Sequence, residues 1–272
     1  MLRRFLILTL AIIGMTLPLS VTAQATDRAS SKIAVVVMHG KGGSPDKHVA
    51  SLASSLQEKG YLVANLEMPW SGKRDYDADV SAAEQEVVAA FAALREKGAQ
   101  KLFIAGHSQG GLFAVYYGGK HPVDGVIAIA PGGNVGSAIY KEKLGESVSQ
   151  ARSLVAAGKG GEKTRFEDFE NARGSYPVTA TAAAYLNWFD PDGAMNLPKA
   201  VRSMPAQTPV LWIVAKKDYP GLRLSNLPLF DSFPRNPLTR LYEPESNHIG
   251  APAASRDEIA NWIAEVANRP PG

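Results

Sequence analysis

The amino-acid sequence predicts an α/β fold: a doubly wound, mainly parallel sheet of about six strands, with a long inserted segment. Apolar β-branched runs alternate with amphipathic segments of helical period, which is typical of a parallel sheet covered by helices on both faces. Glycine-rich turns follow several of these runs. A chain of 272 residues that is 45% hydrophobic is long enough to form one large core, so we expect a folded domain and not a disordered chain.

Strands and helices alternate through the first half of the chain. The run KIAVVVMHG (32–40) predicts a buried parallel strand, and the next helix is expected to begin at Ser44 and Pro45, which suit an N-cap and a first helical position. The elements that follow are a strand over 61–68, a helix over 80–94, a strand over 101–106, a buried helix over 110–117 and a strand over 125–131.

Residues 132–205 interrupt this alternation, because they are polar, glycine-rich and irregular, with helical stretches only over 148–157 and 179–188. The segment leaves the carboxyl end of a strand, where parallel sheets hold their ligands, so we interpret it as a cap over the site. The alternation resumes with a strand over 209–215, a short strand over 239–245 and a last helix that begins at the capping box of Ser255 and Glu258.

The first 25 residues are typical of a secretory signal peptide. Arg3 and Arg4 precede an apolar stretch (5–15), and Ala23-Gln24-Ala25 suits signal peptidase. The alternative is an uncleaved membrane anchor, for which the apolar stretch is short. No cysteine follows, which excludes a lipoprotein anchor. We therefore expect one mature domain over 26–272, periplasmic or secreted, with no stable membrane anchor after cleavage.

The composition excludes several classes of site. The chain has 29 basic and 26 acidic residues, and it becomes nearly neutral once the two signal arginines are removed. No basic run with interleaved aromatics is present, so no nucleic-acid partner is expected. The absence of cysteine excludes disulfides, a thiol nucleophile and cysteine-ligated metals.

The stretch GHSQG (106–110) has the pattern G-x-S-x-G, with the predicted third strand before it and a buried helix after it. In that setting the serine lies on a strained turn at the top of the sheet, and the glycines avoid clashes across the turn. The alternative is an ordinary glycine-rich turn. The strand–helix setting favours Ser108 as a nucleophile.

A serine nucleophile needs a base and a carboxylate that orients the base. Of the five histidines, only His248 follows the last strand at the carboxyl edge, so we predict that it is the base. Asp218 ends the run PVLWIVAKKD, and the order Ser108, Asp218, His248 is the one expected for this kind of turn. The other acids considered are Asp190 and Asp192 in the cap and Glu243 and Glu245 on the last strand.

An oxyanion hole requires two preorganised N–H donors. We predict that the backbone N–H groups of Gln109, next to the nucleophile, and of Lys41, in the loop HGKGG after the first strand, supply them. The alternative is that this glycine loop binds phosphate, but it has neither the Walker spacing nor G-x-G-x-x-G.

The motifs HGKGG, GHSQG, PVLWIVAKKD and ESNHIG together resemble those of α/β-hydrolase-fold serine hydrolases of the esterase and lipase kind, over about residues 32–266. The resemblance implies that Ser108, Asp218 and His248 form the catalytic triad and that Lys41 and Gln109 form the oxyanion hole. Two leading strands usual in the family have no counterpart here. The cap matches no known substrate group, so the resemblance does not identify a substrate.

The loop MPWSGKRDYDAD (68–79) follows the second strand and should also border the site. There Trp70 and Tyr76 are candidates for an apolar substrate pocket, and Arg74 for binding a substrate anion. The alternative is a solvated loop with packed aromatics. A calcium loop formed by Asp75, Asp77, Asp79 and Glu86 is disfavoured, because Val80 stands where glycine is required.

These observations predict a serine hydrolase that cleaves carboxylic esters through an acyl-enzyme intermediate, acts on a small-molecule ester and needs no cofactor or metal. An acyltransferase or a peptidase or amidase would use the same residues. A non-catalytic binding scaffold of the same fold is the alternative of a different class. The cap aromatics Tyr185, Trp188 and Phe189 either cover an acyl site or form the core of the cap.

Overall fold

The computed structural model of the protein describes residues 33–269, so the predicted signal peptide lies outside the described residues. A six-stranded sheet has the order β2-β1-β3-β4-β7-β8, and all of its neighbouring pairs are parallel. Its strands are β1 (Ile33–Met38), β2 (Leu62–Leu66), β3 (Lys101–His107), β4 (Gly125–Ile129), β7 (Val210–Ile213) and β8 (Arg240–Tyr242). The predicted fold class and strand number are confirmed.

Helices cover both faces of the sheet. They are α1 (Ala50–Glu58), α2 (Val80–Glu96), α3 (Gln109–Gly118), α4 (Ala138–Ala156), α5 (Ala182–Phe189), α6 (Leu197–Arg202), α7 (Pro220–Leu229), α8 (Ala251–Ala254) and α9 (Arg256–Ala267), with a 3₁₀ turn at Phe230–Ser232.

The continuous apolar sequence of β1 is explained by burial on both faces. Ala34, Val36 and Met38 point to one face, where α2 and α3 pack, and Val35 and Val37 point to the other, where α1 and α9 pack. All six residues of the strand are buried. A strand of alternating polarity would place charged groups in one of these cores.

The segment between β4 and β7 contains α4, an antiparallel hairpin of β5 (Lys163–Glu170) and β6 (Gly174–Thr181), and then α5 and α6. The sequence indicated helical stretches here but gave no sign of the hairpin. Its turn lacks an Asn-Gly or Asp-Gly pair, and β5 is rich in charged residues that propensity assigns to other structures. Burial of one face of the hairpin, including Phe166 and the opposite Val178, overrides that preference.

One predicted helix start is wrong: the first helix begins at Ala50 and not at Pro45, and the Ser44 hydroxyl donates to Asp46 inside a separate turn. The last helix, α9, begins directly after Ser255 as predicted. The predicted capping bond is missing, because the Ser255 hydroxyl is buried and makes no side-chain cap hydrogen bond. Within residues 33–269, no helix has both the length and the apolar character needed to cross a bilayer.

Candidate active site

Ser108 lies on the sharp turn between β3 and α3, with a φ of +54° that is unusual for a residue with a side chain. The turn can close only because its flanking residues are glycines. A Cβ at Gly106 would lie 2.0 Å from the carbonyl oxygen of Gly110, and one at Gly110 would lie 2.6 Å from that of His39. The turn therefore raises the Ser108 side chain above the carboxyl edge of the sheet.

Ser108, His248 and Asp218 lie in one hydrogen-bonded row. The Ser108 hydroxyl is 3.0 Å from Nε2 of His248, and Nδ1 of His248 is 2.9 Å from Oδ1 of Asp218. In the tautomer that fits this arrangement, the Ser108 hydroxyl donates to Nε2 and the Nδ1–H donates to the carboxylate. The structure thus brings together the three residues predicted to form the triad.

Asp218 is fixed by the backbone around it. The N–H of Tyr219 donates to Oδ1 at 2.6 Å, and the side chain is 1% exposed. A β-bridge between Lys217 and Asn247 joins its loop to the loop of His248. The other acids considered form ion pairs or bonds elsewhere: Glu243 with Arg223, Glu245 with Lys216, and Asp190 with Arg152 and the N–H of Asp192.

His107 has a position that sequence reasoning did not assign. Its Nε2–H donates to the carbonyl oxygen of His248 at 2.9 Å, and its ring lies 4.9 Å from the ring of His248. Burial, together with the nearby His248, lowers the pKa of His107 to about 3. It therefore stays neutral and supports the backbone of the histidine loop. The sequence feature that could have indicated this role is a histidine at the end of β3, directly before the nucleophile.

The loop after β1 lies against the nucleophile. A Cβ at Gly40 would be 3.0 Å from Cβ of Ser108, so the backbone that continues into Lys41 passes directly beside the serine. Within residues 33–269, neither the N–H of Lys41 nor that of Gln109 donates to a backbone carbonyl. Both predicted oxyanion donors are thus next to Ser108 and free of backbone partners.

The prediction that Trp70, Arg74 and Tyr76 bind substrate is corrected by the structure. Trp70 is 1% exposed and packs on Phe113, and its indole N–H donates to the carbonyl oxygen of His39. Tyr76 is buried too. None of the three lines the cavity at Ser108, because their loop turns inward under the cap and fills the core between the cap and the sheet.

Arg74 is occupied by acidic side chains of its own region. Its guanidinium pairs with Glu86 at 2.7 Å and with Asp77 at 3.0 Å, and these partners raise its pKa. Asp79 caps α2 through the N–H of Ala82, and Asp75 accepts the N–H of Thr179. The acids considered for a calcium loop therefore have separate structural partners.

A cavity of about 580 Å³ opens above Ser108 and His248. Its apolar wall comes from Ile139, Tyr140, Tyr219, Leu222 and Ile249, and its polar wall includes Lys47, His48, Asn134, Ser137, Glu170 and Asn171. The cap aromatics Tyr185, Trp188 and Phe189 do not line it and are at most 3% exposed in the core. The wall residues come from helices, a strand and loops far apart in sequence, which is why the sequence did not reveal them.

Comparisons with known proteins found one family model and several solved structures that resemble this chain. Residues 29–163, just under half of the chain, match the family model Hydrolase_4, described as serine aminopeptidase, S33. No curated protein sequence matches the chain. A metagenome-derived lipolytic enzyme, from work on LipS and LipT, superposes with a TM-score of 0.61 at 20% identity, over 87% of this chain and 95% of the other. The protein has the α/β-hydrolase fold.

Two further solved structures share this fold. A monoacylglycerol lipase from Paleococcus ferrophilus has a TM-score of 0.58 at 18% identity, covering 86% of this chain and 94% of the lipase. Est1E from Butyrivibrio proteoclasticus, with ferulic acid bound, has a TM-score of 0.59 at 14% identity, covering 87% of this chain and 90% of Est1E. At 14–20% identity, these likenesses show the α/β-hydrolase fold that the sequence resemblance implies.

Proposed function

We propose that the α/β-hydrolase cleaves carboxylic esters through an acyl-enzyme intermediate on Ser108. The observation that carries the proposal is the row Ser108–His248–Asp218, with hydrogen bonds of 3.0 and 2.9 Å, at the floor of a partly apolar cavity. The names of the lipolytic and esterase structures that share the fold also favour an ester.

In the first half-reaction, Oγ of Ser108 bonds to the acyl carbon while His248 Nε2 takes the hydroxyl proton. The N–H groups of Lys41 and Gln109 donate to the oxyanion that forms on the carbonyl oxygen. The tetrahedral intermediate then breaks the carbon–oxygen bond to the alcohol, which leaves with the proton from His248. Asp218 stabilises the transient imidazolium and holds the ring in position.

In the second half-reaction, His248 removes a proton from water and the resulting hydroxyl attacks the acyl carbon. The ester bond to Ser108 breaks, the proton returns to Oγ and the carboxylic acid leaves. The proton that Ser108 lost to the alcohol is thus replaced by one from water, and the enzyme ends in its starting state. The cycle uses only side chains and backbone groups within residues 33–269 and one water.

A peptidase is the second candidate, because the matching family model is described as a serine aminopeptidase. An aminopeptidase needs a carboxylate for the substrate's ammonium group, and Glu170 lies on the cavity wall. Rates on p-nitrophenyl esters of graded acyl length, compared with aminoacyl p-nitroanilides, separate the two. A higher kcat/KM on the anilides would decide against the esterase.

The nucleophile is tested with a fluorophosphonate probe, which bonds covalently to an activated serine. We expect the folded wild-type protein to be labelled and the Ser108→Ala variant not to be labelled. Absence of labelling in the wild type, or equal labelling of both proteins, would contradict the proposal.

The acid is tested by Asp218→Asn, which keeps the shape of the side chain and removes its charge. We expect kcat to fall by about 10⁴, the loss seen when the orienting carboxylate of such a triad becomes an amide. Glu243→Gln is the matched control, since Glu243 pairs with Arg223 and should leave kcat within about twofold.

We also propose, from the signal-like sequence of residues 1–25, that the protein is exported and acts in the periplasm or outside the cell. N-terminal sequencing of protein from these compartments should begin at Thr26. Retention of Met1 in the isolated protein would contradict cleavage.

A further inference from the structure

A buried carboxylate, Asp168, lies at the contact between the cap and the loop after β1. It is on β5 of the cap hairpin, directly opposite Tyr176 of β6, and its side chain has no exposed surface. Burying a charge costs free energy unless hydrogen-bond or ionic partners compensate it, so Asp168 requires such partners in the folded protein.

Both oxygens of Asp168 are hydrogen-bonded. Oδ1 accepts from Nζ of Lys41 at 2.5 Å and from the N–H of Phe169 at 2.6 Å. Oδ2 accepts from the hydroxyls of Tyr76 at 2.9 Å and Tyr176 at 3.0 Å. The partners come from the loop after β1, the loop after β2 and both hairpin strands.

The donors hold their protons over a wide pH range. Burial alone would lower the pKa of Lys41, but the charge of Asp168 outweighs it and raises the value. Burial and the same carboxylate raise the pKa of Tyr76 and of Tyr176. These three donors therefore keep their protons in the neutral pH range.

Each predicted oxyanion donor belongs to a residue whose side chain contacts this cluster. Lys41 is bonded to Asp168 by its ammonium group, which also donates to Phe169 O at 3.3 Å. Oε1 of Gln109 lies 3.4 Å from the Tyr76 hydroxyl, but that hydroxyl gives its single proton to Asp168, so Gln109 only packs against the cluster. One donor lies in the loop after β1 and the other at the start of α3, and the cluster holds Lys41 directly.

The loop that contains Lys41 is held at His39, Gly42 and Gly43, whereas the N–H of Lys41 itself has no backbone partner within residues 33–269. Lys41 stands between Gly40 and Gly42, and Gly42 has a φ of +63° that glycine adopts without strain. The N–H of Gly42 donates to Trp70 O, and that of Gly43 to Gly40 O. The ion pair with Asp168 is the side-chain anchor of this glycine-rich backbone.

We infer that Asp168 is a positioning residue for the oxyanion hole: through its ion pair with Lys41 it fixes the backbone N–H group of Lys41 beside Ser108. The cap hairpin is then part of the frame that stabilises the transition state, in addition to covering the cavity. The inference rests on the ester hydrolysis proposed above. The alternative is a purely structural role, in which the cluster only holds the cap in place, and the experiments below distinguish the two roles.

The primary test is Lys41→Met, which removes the ammonium group but keeps the stem and the backbone N–H. Loss of one oxyanion donor costs about 10²–10³ in kcat, so a displaced donor should cost at least about tenfold. We expect this loss in kcat per titrated active site, with KM changed by less than about threefold. Lys120→Met, which breaks the pair with Glu84 on α2, is the matched control and should keep wild-type kcat.

The second readout is the inhibition constant of a trifluoromethyl ketone, whose adduct with Ser108 carries an oxyanion. It should rise in Lys41→Met in proportion to the loss of kcat, because both report the same hydrogen bonds. A structural role would reduce the number of active sites and leave this constant unchanged. Wild-type kcat and wild-type inhibition in Lys41→Met would overturn the inference.

Asp168→Asn tests the other partner, although it leaves a buried ammonium without its counter-charge and is expected to lower stability. The double variant Lys41→Met/Asp168→Asn removes both charges. If the pair acts as one unit, the double variant should lose no more kcat than Lys41→Met alone. Independent, multiplicative losses would contradict a shared positioning role.

Hydrogen exchange gives a readout that needs no substrate. Peptides covering residues 39–43 should exchange faster in Lys41→Met than in the wild type or Lys120→Met. If the wild type hydrolyses no ester but Lys41→Met still exchanges faster, the positioning role is retained and the proposed function is refuted. Unchanged exchange with an active wild type would refute the positioning role alone.

Discussion

At the scale of single residues, the site depends on one strained backbone conformation. Ser108 has a φ of +54°, and such positions cost about 1–3 kcal/mol when a side chain is present. The surrounding backbone holds it there, since its N–H donates to Ile129 O and its carbonyl accepts from Leu112 and Gly132. In return, its hydroxyl reaches Nε2 of His248.

His107 and His248 lie side by side at the site but serve different purposes. His248 faces the cavity and Ser108, whereas His107 is fully buried beneath it and donates to its backbone. Its Nδ1 has no partner among the described residues, so a second proton there would be unsolvated. This burial is the reason that the pKa of His107 falls to about 3.

The protein should therefore lose stability between pH 6.5 and about 3. In this window the unfolded chain protonates His107 and the native state does not, so unfolding takes up a proton as the pH falls. Each such proton changes the unfolding free energy by about 1.4 kcal/mol per pH unit. His107→Gln should show a slope smaller by about one proton between pH 4 and 6 in urea titrations.

The slope that remains in His107→Gln belongs to other groups, including His39, whose pKa burial also lowers. Above pH 6.5 the difference between variant and wild type should be constant. Equal slopes in the two proteins below pH 6 would show that His107 is protonated in the native state.

At the scale of elements, β3 and α3 approach so closely that glycine is required where they meet. Besides the contacts of Gly106 and Gly110, a Cβ at Gly118 near the end of α3 would lie 2.5 Å from Val126 on β4. The helix is apolar over nearly its whole surface, as the sequence predicts, because the sheet lies on one side and the cap on the other. Close packing here places Gln109 N–H at the site.

Gly106→Ala should be strongly destabilising, by about 3 kcal/mol or more, since the new Cβ would meet backbone atoms that cannot move away. Gly145→Ala is the matched control. Gly145 lies inside α4 with open space around it, so alanine should stabilise the protein by about 0.5–1 kcal/mol. Urea denaturation of both variants measures the difference. Equal stability of Gly106→Ala and the wild type would contradict the tight turn.

At the scale of the whole molecule, the cap and the sheet share one core. Trp188 of α5 packs against Trp70, Tyr76 and Phe113, with ring centroids 5.5–5.9 Å apart. Its indole N–H also donates to Ala78 O. The cap therefore cannot detach without exposing aromatic surface of the sheet domain, and we expect the two to unfold together.

Trp188→Ala should lower the unfolding free energy of the entire protein by about 3–5 kcal/mol, as for other buried aromatic truncations. Far-UV circular dichroism and tryptophan fluorescence should show one coincident urea transition for the wild type and the variant. Leu224→Ala, at a side chain that is 78% exposed, should have almost no effect. A separate early transition confined to Trp188→Ala would indicate a cap that folds on its own.

Much of the fold follows from local pattern. No single segment determines the strand order of a parallel sheet. Continuous apolar runs joined by amphipathic helices nevertheless predict strands that are buried on both faces. The sequence did not reveal the hairpin of β5 and β6, because charged residues occupy its outer face and its inner face is buried only by long-range contacts with other parts of the fold.

The sequence alone determined the parallel α/β sheet and the candidate residues Ser108, Asp218 and His248, because strand ends and glycine turns are local features with fixed places in this fold. Only the tertiary structure decided which side chains line the cavity, why Trp70, Arg74 and Tyr76 do not, and that Asp168 meets Lys41 across 127 positions of the chain. These are matters of side-chain direction and long-range packing, which no local pattern encodes.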